Sequence, residues 1–464
     1  MSSSIKYLIA RSNSETVPVV PIRGKSDLKD WVRSQPKYVA KWLEVNSFKG
    51  QTGKHCLVSS KDGGLRCVLV GLPQKATPWD YSALPAKLPR GRYELSVSLP
   101  PEQASLAALS WILGTYQFTR YRGKNSGFAH LVWPKGSDRD WVKANYAAIA
   151  KGRDLITTPA EDMGPSHLAL EMKEIAEEHG ASFKQVVGDA LLKQNFPSVH
   201  AVGRAATNGP RLLDLTWGPE DGKKITLVGK GVCFDSGGLD IKPASSMKLM
   251  KKDMGGAATV LAVAKILMAL GANIRLRVLI PAVENAVAGN AFRPLDVLQT
   301  RKGLTVEVGH TDAEGRLILS DALALADEEE PDLIVCIATL TGAARVALGA
   351  ELPALFCTHD TIAEDLLRAG QKHEDPLWRL PLHKPYRQRL ESKVADINNV
   401  PNGGYGGAIA AALFLQEFVG SHTPWIHIDS MAFRLDSRPG RPYGGEVFAA
   451  RAVAEMVLER YGRV

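Results

Sequence analysis

Apolar residues recur along this chain in two rhythms, and the places where one gives way to the other mark its elements. In the first third the runs are short. His55 to Ser59 and Leu65 to Gly71 read as neighbouring strands, separated by a turn at Lys61-Asp62-Gly63-Gly64. Pro101 then opens a helix whose apolar side carries Ala104, Leu106, Leu109, Ile112 and Leu113. A second helix runs from Asp138 to about Leu155 with Trp141, Tyr146, Ile149 and Leu155 on one side. Thr157-Thr158-Pro159 breaks it, and Gly164-Pro165-Ser166 starts another that ends near Gly180.

Beyond that break the alternation becomes regular. Lys224 to Val228 is a buried strand, Gly255 to Leu270 a helix, and Ile274 to Ile280 a strand. Leu317 to Glu329 is again a helix, and Asp332 to Leu340 a long buried strand. Such alternation predicts an α/β fold with a central, largely parallel sheet flanked by helices. Length adds a boundary, because 464 residues exceed one ordinary core. The reading is a smaller N-terminal α/β domain over 1–150, with a linking helix near its end, and a larger C-terminal α/β domain over 151–464.

Composition narrows the class. The chain is 45% hydrophobic and 23% charged, which excludes a disordered protein. No apolar run approaches the roughly 20 residues that span a bilayer, so no membrane partner is expected. The apolar patch after Met1 is too short for a secretory signal, and the five cysteines (56, 67, 233, 336 and 357) have no paired spacing. Both point to the cytoplasm. Cys233, Cys336 and Cys357 lie within apolar runs and read as small buried hydrophobes.

Charge is uneven. Residues 1–150 hold 22 lysines and arginines against 10 acidic residues, whereas the remainder holds 35 against 39. A basic first third could meet nucleic acid or another polyanion. The simpler reading is a solvated basic surface, because no basic helix or RNA-binding motif accompanies it.

The chemistry gathers between Lys230 and Arg316. Carboxylates at Asp235, Asp253, Asp312 and Glu314 stand beside glycine-rich turns, as do Lys230, Lys242 and Arg316. Asp312 and Glu314 are two apart, so in an extended segment both would point to one side. Ligands of parallel α/β sheets bind at the carboxyl ends of strands, and Lys230, Asp235, Asp312 and Thr339 are expected there. Carboxylates that converge without cations repel, so the cluster calls for divalent metal. Hard oxygen ligands without a paired-histidine spacing favour manganese, magnesium or zinc in a carboxylate-bridged pair. One lysine beside such metals could ligate as a neutral amine, and another could stay charged and stabilise an oxyanion. No phosphate loop is written around Lys230, and Ser236 lacks the context of a nucleophile elbow.

Thr311-Asp312-Ala313-Glu314-Gly315-Arg316-Leu317 resembles the signature of the leucyl (cytosol) aminopeptidase family, two-metal exopeptidases. Gly229-Lys230-Gly231-x-x-Phe234-Asp235-Ser236-Gly237-Gly238, Lys242-Pro243 and Asp253-Met254-Gly255-Gly256 match at the family's spacing. So do Pro281-Ala282-Val283-Glu284-Asn285, Ala338-Thr339-Leu340-Thr341-Gly342 and Gly406-Gly407-Ala408-Ile409. The likeness covers nearly everything after residue 150, and the first third carries no matching motif.

The resemblance implies a metal-dependent aminopeptidase that releases N-terminal, leucine-like residues from peptides and assembles as a homo-hexamer. It implies two divalent ions per subunit, manganese or zinc with magnesium also compatible. Asp235 and Glu314 would bridge them, Lys230 and Asp253 would complete one site, and Asp312 the other. Lys242 would polarise the scissile carbonyl, and Arg316 would hold a bicarbonate acting as general base. The side-chain pocket would comprise Met250, Thr339 and Gly342, with Met431 a further candidate. His310 stands where the family has Asn, and Leu295 where it has Gly. A two-metal phosphoesterase or nuclease is the alternative for such a cluster.

Overall fold

The computed structural model describes residues 5–74, 77–123 and 127–462. The chain divides into two compact units, Met1–Ala150 with Ser437–Pro442, and Lys151–Asp436 with Tyr443–Val464.

The first unit is built on a six-stranded sheet in the order Leu8–Ile9, His130–Val132, Arg92–Leu95, Val17–Ile22, Leu65–Gly71, His55–Ser59. Its neighbours run parallel except for the last pair, the hairpin read from the Asp62-Gly63-Gly64 turn. One face packs Val39 and Leu43 of the helix Lys37–Val45 against Ile22, Val58, Cys67 and Leu69. The helix beginning at Pro101 runs to Leu113 and is buried over most of its surface.

The second unit holds a nine-stranded sheet. Its order is Trp378–Arg379, Ala354–Cys357, Trp425–Asp429, Leu333–Ala338, Lys223–Gly229, Ile274–Asn285, Arg211–Trp217, Ser182–Val187, with Gly231–Asp235 pairing beside Ile274–Asn285. The centre is parallel, and antiparallel pairs enter at Ala354–Cys357, Arg211–Trp217 and Ser182–Val187. Every residue of Leu333–Ala338 is buried, as expected of a strand covered on both faces. The helix Gly255–Ala269 is buried from Gly255 to Met268, so it carries no polar face to signal its period.

Four sequence expectations change. The strand beginning at Ile274 continues to Asn285, which carries its carboxyl end to the site. The helix read from Leu317 starts at Glu314, so Glu314 and Arg316 are helical. Asp312 lies in a turn, so Asp312 and Glu314 are not two positions of one extended segment. Nor does Asp312 end a strand of the nine-stranded sheet. The strand preceding it, Thr305–Glu307, belongs to a separate three-stranded sheet with Val297–Gln299 and Ile397–Asn398.

Candidate metal centre

Four segments of the second unit deliver the carboxylates. The strand Gly231–Asp235 ends on Asp235, opposite Asn285 in the parallel register. Asn285 Nδ2 donates to Asp235 Oδ1 at 2.9 Å and to the Thr311 carbonyl at 3.2 Å, so one side chain ties the strand end to the turn before Asp312. Gly237 N donates to the same Asp235 oxygen at 2.9 Å. Gly237 sits at φ 91°, where a Cβ would lie 2.5 Å from the Asp240 carbonyl oxygen, so only glycine turns the chain back so tightly.

Asp253 comes from the short 3₁₀ turn Met250–Met254 and accepts from Thr339 Oγ1 at 2.7 Å. Glu314 opens the helix Glu314–Asp327, where the helix N-terminus favours an acidic residue. The turn carrying Asp312 is held from both sides. Asn399 Nδ2 donates to the His310 carbonyl at 2.9 Å, Thr311 N donates to Asp240 Oδ2 at 2.8 Å, and Asp312 N donates to His310 Nδ1 at 3.1 Å.

Asp235, Asp312 and Glu314 each offer an oxygen within 4.8 Å of the others. Lys230 Nζ lies 2.6 Å from Asp253 Oδ2 and 2.9 Å from Glu314 Oε1. Lys242 Nζ lies 2.8 Å from Asp235 Oδ2 and also contacts Asp312. Lys252 Nζ lies 3.7 Å from Asp253 Oδ1, so three ammoniums face four carboxylates. Burial pushes Glu314 and Asp235 above the usual carboxylate range, and their acidic neighbours add to it. Burial works against the Lys230 and Lys242 ammoniums too, yet the carboxylates around them prevail and raise both above an ordinary lysine.

The donor set fits divalent cations. Glu314 is 1% exposed, and its Oε2 has no hydrogen-bond partner among the described residues. The cluster sets four carboxylates against three lysines, and its ligands are hard oxygens.

A cavity of about 480 Å³ opens onto these groups. It is lined by Lys230, Asp235, Lys242, Asp253, Asp312 and Arg316, and by Met250, Thr339, Gly342 and Met431. Glu314 lies outside this lining. Arg316 is buried, its Nη1 donates to the Asn399 carbonyl, and its Nε finds no partner among the described residues. Burial lowers its guanidinium to about 10.

Asn285, Asn399 and Asp429 were not among the expected site residues. Asp429 accepts from Leu340 N at 2.9 Å and Thr341 N at 3.2 Å, fixing the backbone beside Thr339. Its signal was a lone carboxylate ending the apolar run Trp425-Ile426-His427-Ile428. Leu295 keeps a left-handed backbone, φ 68°, at the position where glycine was the expected residue.

A strand end, a 3₁₀ turn, a tight turn and a helix start of the α/β unit thus bring four carboxylates together at one cavity, the setting of a candidate metal centre. The model of the cytosol aminopeptidase family, catalytic domain, matches residues 150–454, and that of the M17 aminopeptidase N-terminal domain matches residues 17–134. The first third, which offered no motif, is thus a family domain as well. The crystal structure of cytosol aminopeptidase from Coxiella burnetii superposes with a TM-score of 0.95 at 45% identity, covering 98% of this chain and 100% of that one. The bottromycin maturation enzyme BotP in complex with Mn gives a TM-score of 0.85 at 33% identity, over 96% of this chain and 99% of that one. The probable cytosol aminopeptidase of Aquifex aeolicus (strain VF5) is 32% identical over 441 residues, 90% of this chain and 89% of that protein. The chain belongs to the cytosol aminopeptidase family and is an aminopeptidase, a peptide hydrolase.

Proposed function

We propose that this aminopeptidase works with two divalent cations, manganese or zinc with magnesium also compatible. Asp235 and Glu314 would be held in common, Lys230 and Asp253 would complete one site, and Asp312 the other. The observation that carries this reading is the convergence of Asp235, Asp312 and Glu314 oxygens within 4.8 Å of one another, with Glu314 Oε2 left without a hydrogen-bond partner among the described residues. When bound, such cations supply Lewis acidity and a water acidic enough to lose its proton near neutral pH.

The chain's own groups do the rest. Lys242, held charged by Asp235 and Asp312, donates to the oxyanion that develops on the scissile carbonyl. Lys230 has to give up its proton before it can ligate, and removing one carboxylate's share of its surroundings would ease that loss. Arg316, anchored by Asn399 and with Nε unpartnered among the described residues, would hold a bicarbonate, which would supply a general base. His310 positions Asp312 by accepting the Asp312 backbone N–H at its Nδ1 and need not be a ligand. Met250, Thr339, Gly342 and Met431 would receive a leucine-like side chain, with Thr339 Oγ1 already engaged by Asp253.

The family resemblance supports a homo-hexamer in the cytoplasm, and no described helix is long and apolar enough to cross a membrane. The free α-amine of the substrate separates this reading from a phosphoesterase. Leucyl-p-nitroanilide should be cleaved, while its N-acetyl derivative and nitrophenyl phosphate should not. Equal turnover of the blocked and free leucyl substrates would refute an aminopeptidase of this kind.

A further inference from the structure

Asn399 is fully buried and holds two parts of the site by two different groups. Its Oδ1 accepts from Gly309 N at 2.8 Å and His310 N at 3.3 Å, and its Nδ2 donates to the carbonyls of His310 at 2.9 Å and Ala313 at 3.3 Å. The side chain thus grips the turn that carries Asp312. The main-chain carbonyl instead accepts from Arg316 Nη1. That carbonyl belongs to the peptide joining Asn399 to Val400, so its direction depends on where the chain goes next.

The chain goes into the loop 400–406, which ends at the helix Gly407–Gln416. Val400, Pro401 and Gly407 line the catalytic cavity. Glycines at 403, 404 and 406 make the loop costly in entropy to hold in one shape, and Tyr405 does not anchor it, being 88% exposed. Arg389, in the 3₁₀ segment Lys384–Leu390, does the holding. Its Nε donates to the Asn402 carbonyl at 2.9 Å, its Nη2 to that of Gly403 at 3.1 Å and its Nη1 to that of Tyr405. Its own carbonyl accepts from Asn402 N at 2.7 Å. All three guanidinium nitrogens are therefore committed to the main chain of one loop, and no carboxylate pairs with them among the described residues. The guanidinium also lies over the Tyr386 ring, 5.3 Å from its centroid. Gly406 closes the loop against both at φ 65°, where a Cβ would sit 2.8 Å from Tyr386 Cε2 and 3.3 Å from Arg389 Nη1.

We propose that Arg389 is a positioning residue for hydrolysis. By fixing the loop 400–406 it aims the Asn399 carbonyl at Arg316, and so keeps Arg316 in place. The proposal rests on the reading that Arg316 serves the reaction. Because the Asn399 side chain holds the Asp312 turn by bonds of its own, loosening the loop should disturb Arg316 and spare the cations. The loss belongs in kcat, since small displacements of groups that act in the transition state cost rate.

The test is a double-mutant cycle on the Mn²⁺-loaded, full-length enzyme with leucyl-p-nitroanilide. Arg389→Leu should lower kcat by about tenfold, with KM within about twofold of wild type and metal content unchanged. Arg389→Lys, which brings one ammonium where the loop uses a planar fork, should recover part of the loss. Arg389 is partly exposed, so both variants should fold. Chymotrypsin should cut after Tyr405 faster in Arg389→Leu than in wild type, because the loop is freed. Arg316→Lys should itself impair kcat, and adding Arg389→Leu to it should cost less than about twofold more, because the two act through one contact. A merely structural role for Arg389 would multiply the two losses instead. Multiplied losses overturn the inference, as do loss of metal, unchanged cutting at Tyr405 or near-normal kcat in Arg389→Leu, and each leaves an impaired Arg316→Lys to uphold the role of Arg316. Wild-type kcat in Arg316→Lys overturns both.

Discussion

Lys230 Nζ lies 2.9 Å from Glu314 Oε1, and it gets there across the face of Gly315. A Cβ at Gly315 would sit 2.4 Å from Lys230 Cε and 2.7 Å from its Nζ. The glycine between Glu314 and Arg316 is therefore a clearance for the lysine. Gly315→Ala should push Lys230 away from Glu314 and Asp253 and lower kcat at least tenfold, since small displacements of reacting groups carry large rate costs. Near-normal activity in this variant would mean that Lys230 does not need its observed place.

Lys242 should contribute to the transition state rather than to cation retention. Lys242→Ala should lower kcat by about a hundredfold or more, on the scale of losing an oxyanion donor. Metal content should remain near that of wild type. A variant emptied of metal would show that Lys242 has a ligand's role.

Asn285 holds Asp235 and the Thr311 carbonyl with one amide. Asn285→Leu should weaken cation affinity by about tenfold to a hundredfold, as loss of a group orienting a ligand does. Asn285→Asp should fare no better, because it replaces a donor with another negative charge beside Asp235. Unchanged cation affinity in both variants would remove Asn285 from the site's support.

Much of this site was legible in the sequence because each motif couples a glycine-shaped turn to a charged side chain at a strand or helix end. Asp235 before Gly237-Gly238 and Asp253 before Gly255-Gly256 are of this kind. Asn285 and Asn399 were not legible as site residues, since an amide in a strand or loop carries no spacing signal. Their role arises from register, Asn285 opposite Asp235 and Asn399 beside the turn at His310. Asp312 and Glu314 come together where a turn enters a helix, not by the alternation that an extended segment would give.

Leu295 has a left-handed backbone, φ 68°, and a side chain that is 71% exposed. Its conformation suits glycine, and its side chain is little used in packing. Leu295→Gly should therefore raise stability by roughly 0.5–1 kcal/mol, the relief of a left-handed residue set against glycine's greater freedom when unfolded. Thermal melts of the two proteins would check it, and a lower melting temperature for the glycine variant would contradict it.

Activity should rise from neutral to mildly alkaline pH, because a substrate amine must be unprotonated to bind a cation and its ordinary pKa is about 8. The rise should appear in kcat/KM. A profile flat from pH 6.5 to about 9 would deny the free amine that role.

The most direct test of the account is a titration. Protein dialysed against chelator is supplied with Mn²⁺ in increments while leucyl-p-nitroanilide hydrolysis is followed. Activity should be absent at the start and should saturate at about two ions per chain, as expected of carboxylates shared between two cations. The Asp235→Asn variant should fail to reach saturation in the same range. Full activity in metal-free protein, or saturation at a single ion, would contradict the two-cation centre at Asp235, Asp312 and Glu314.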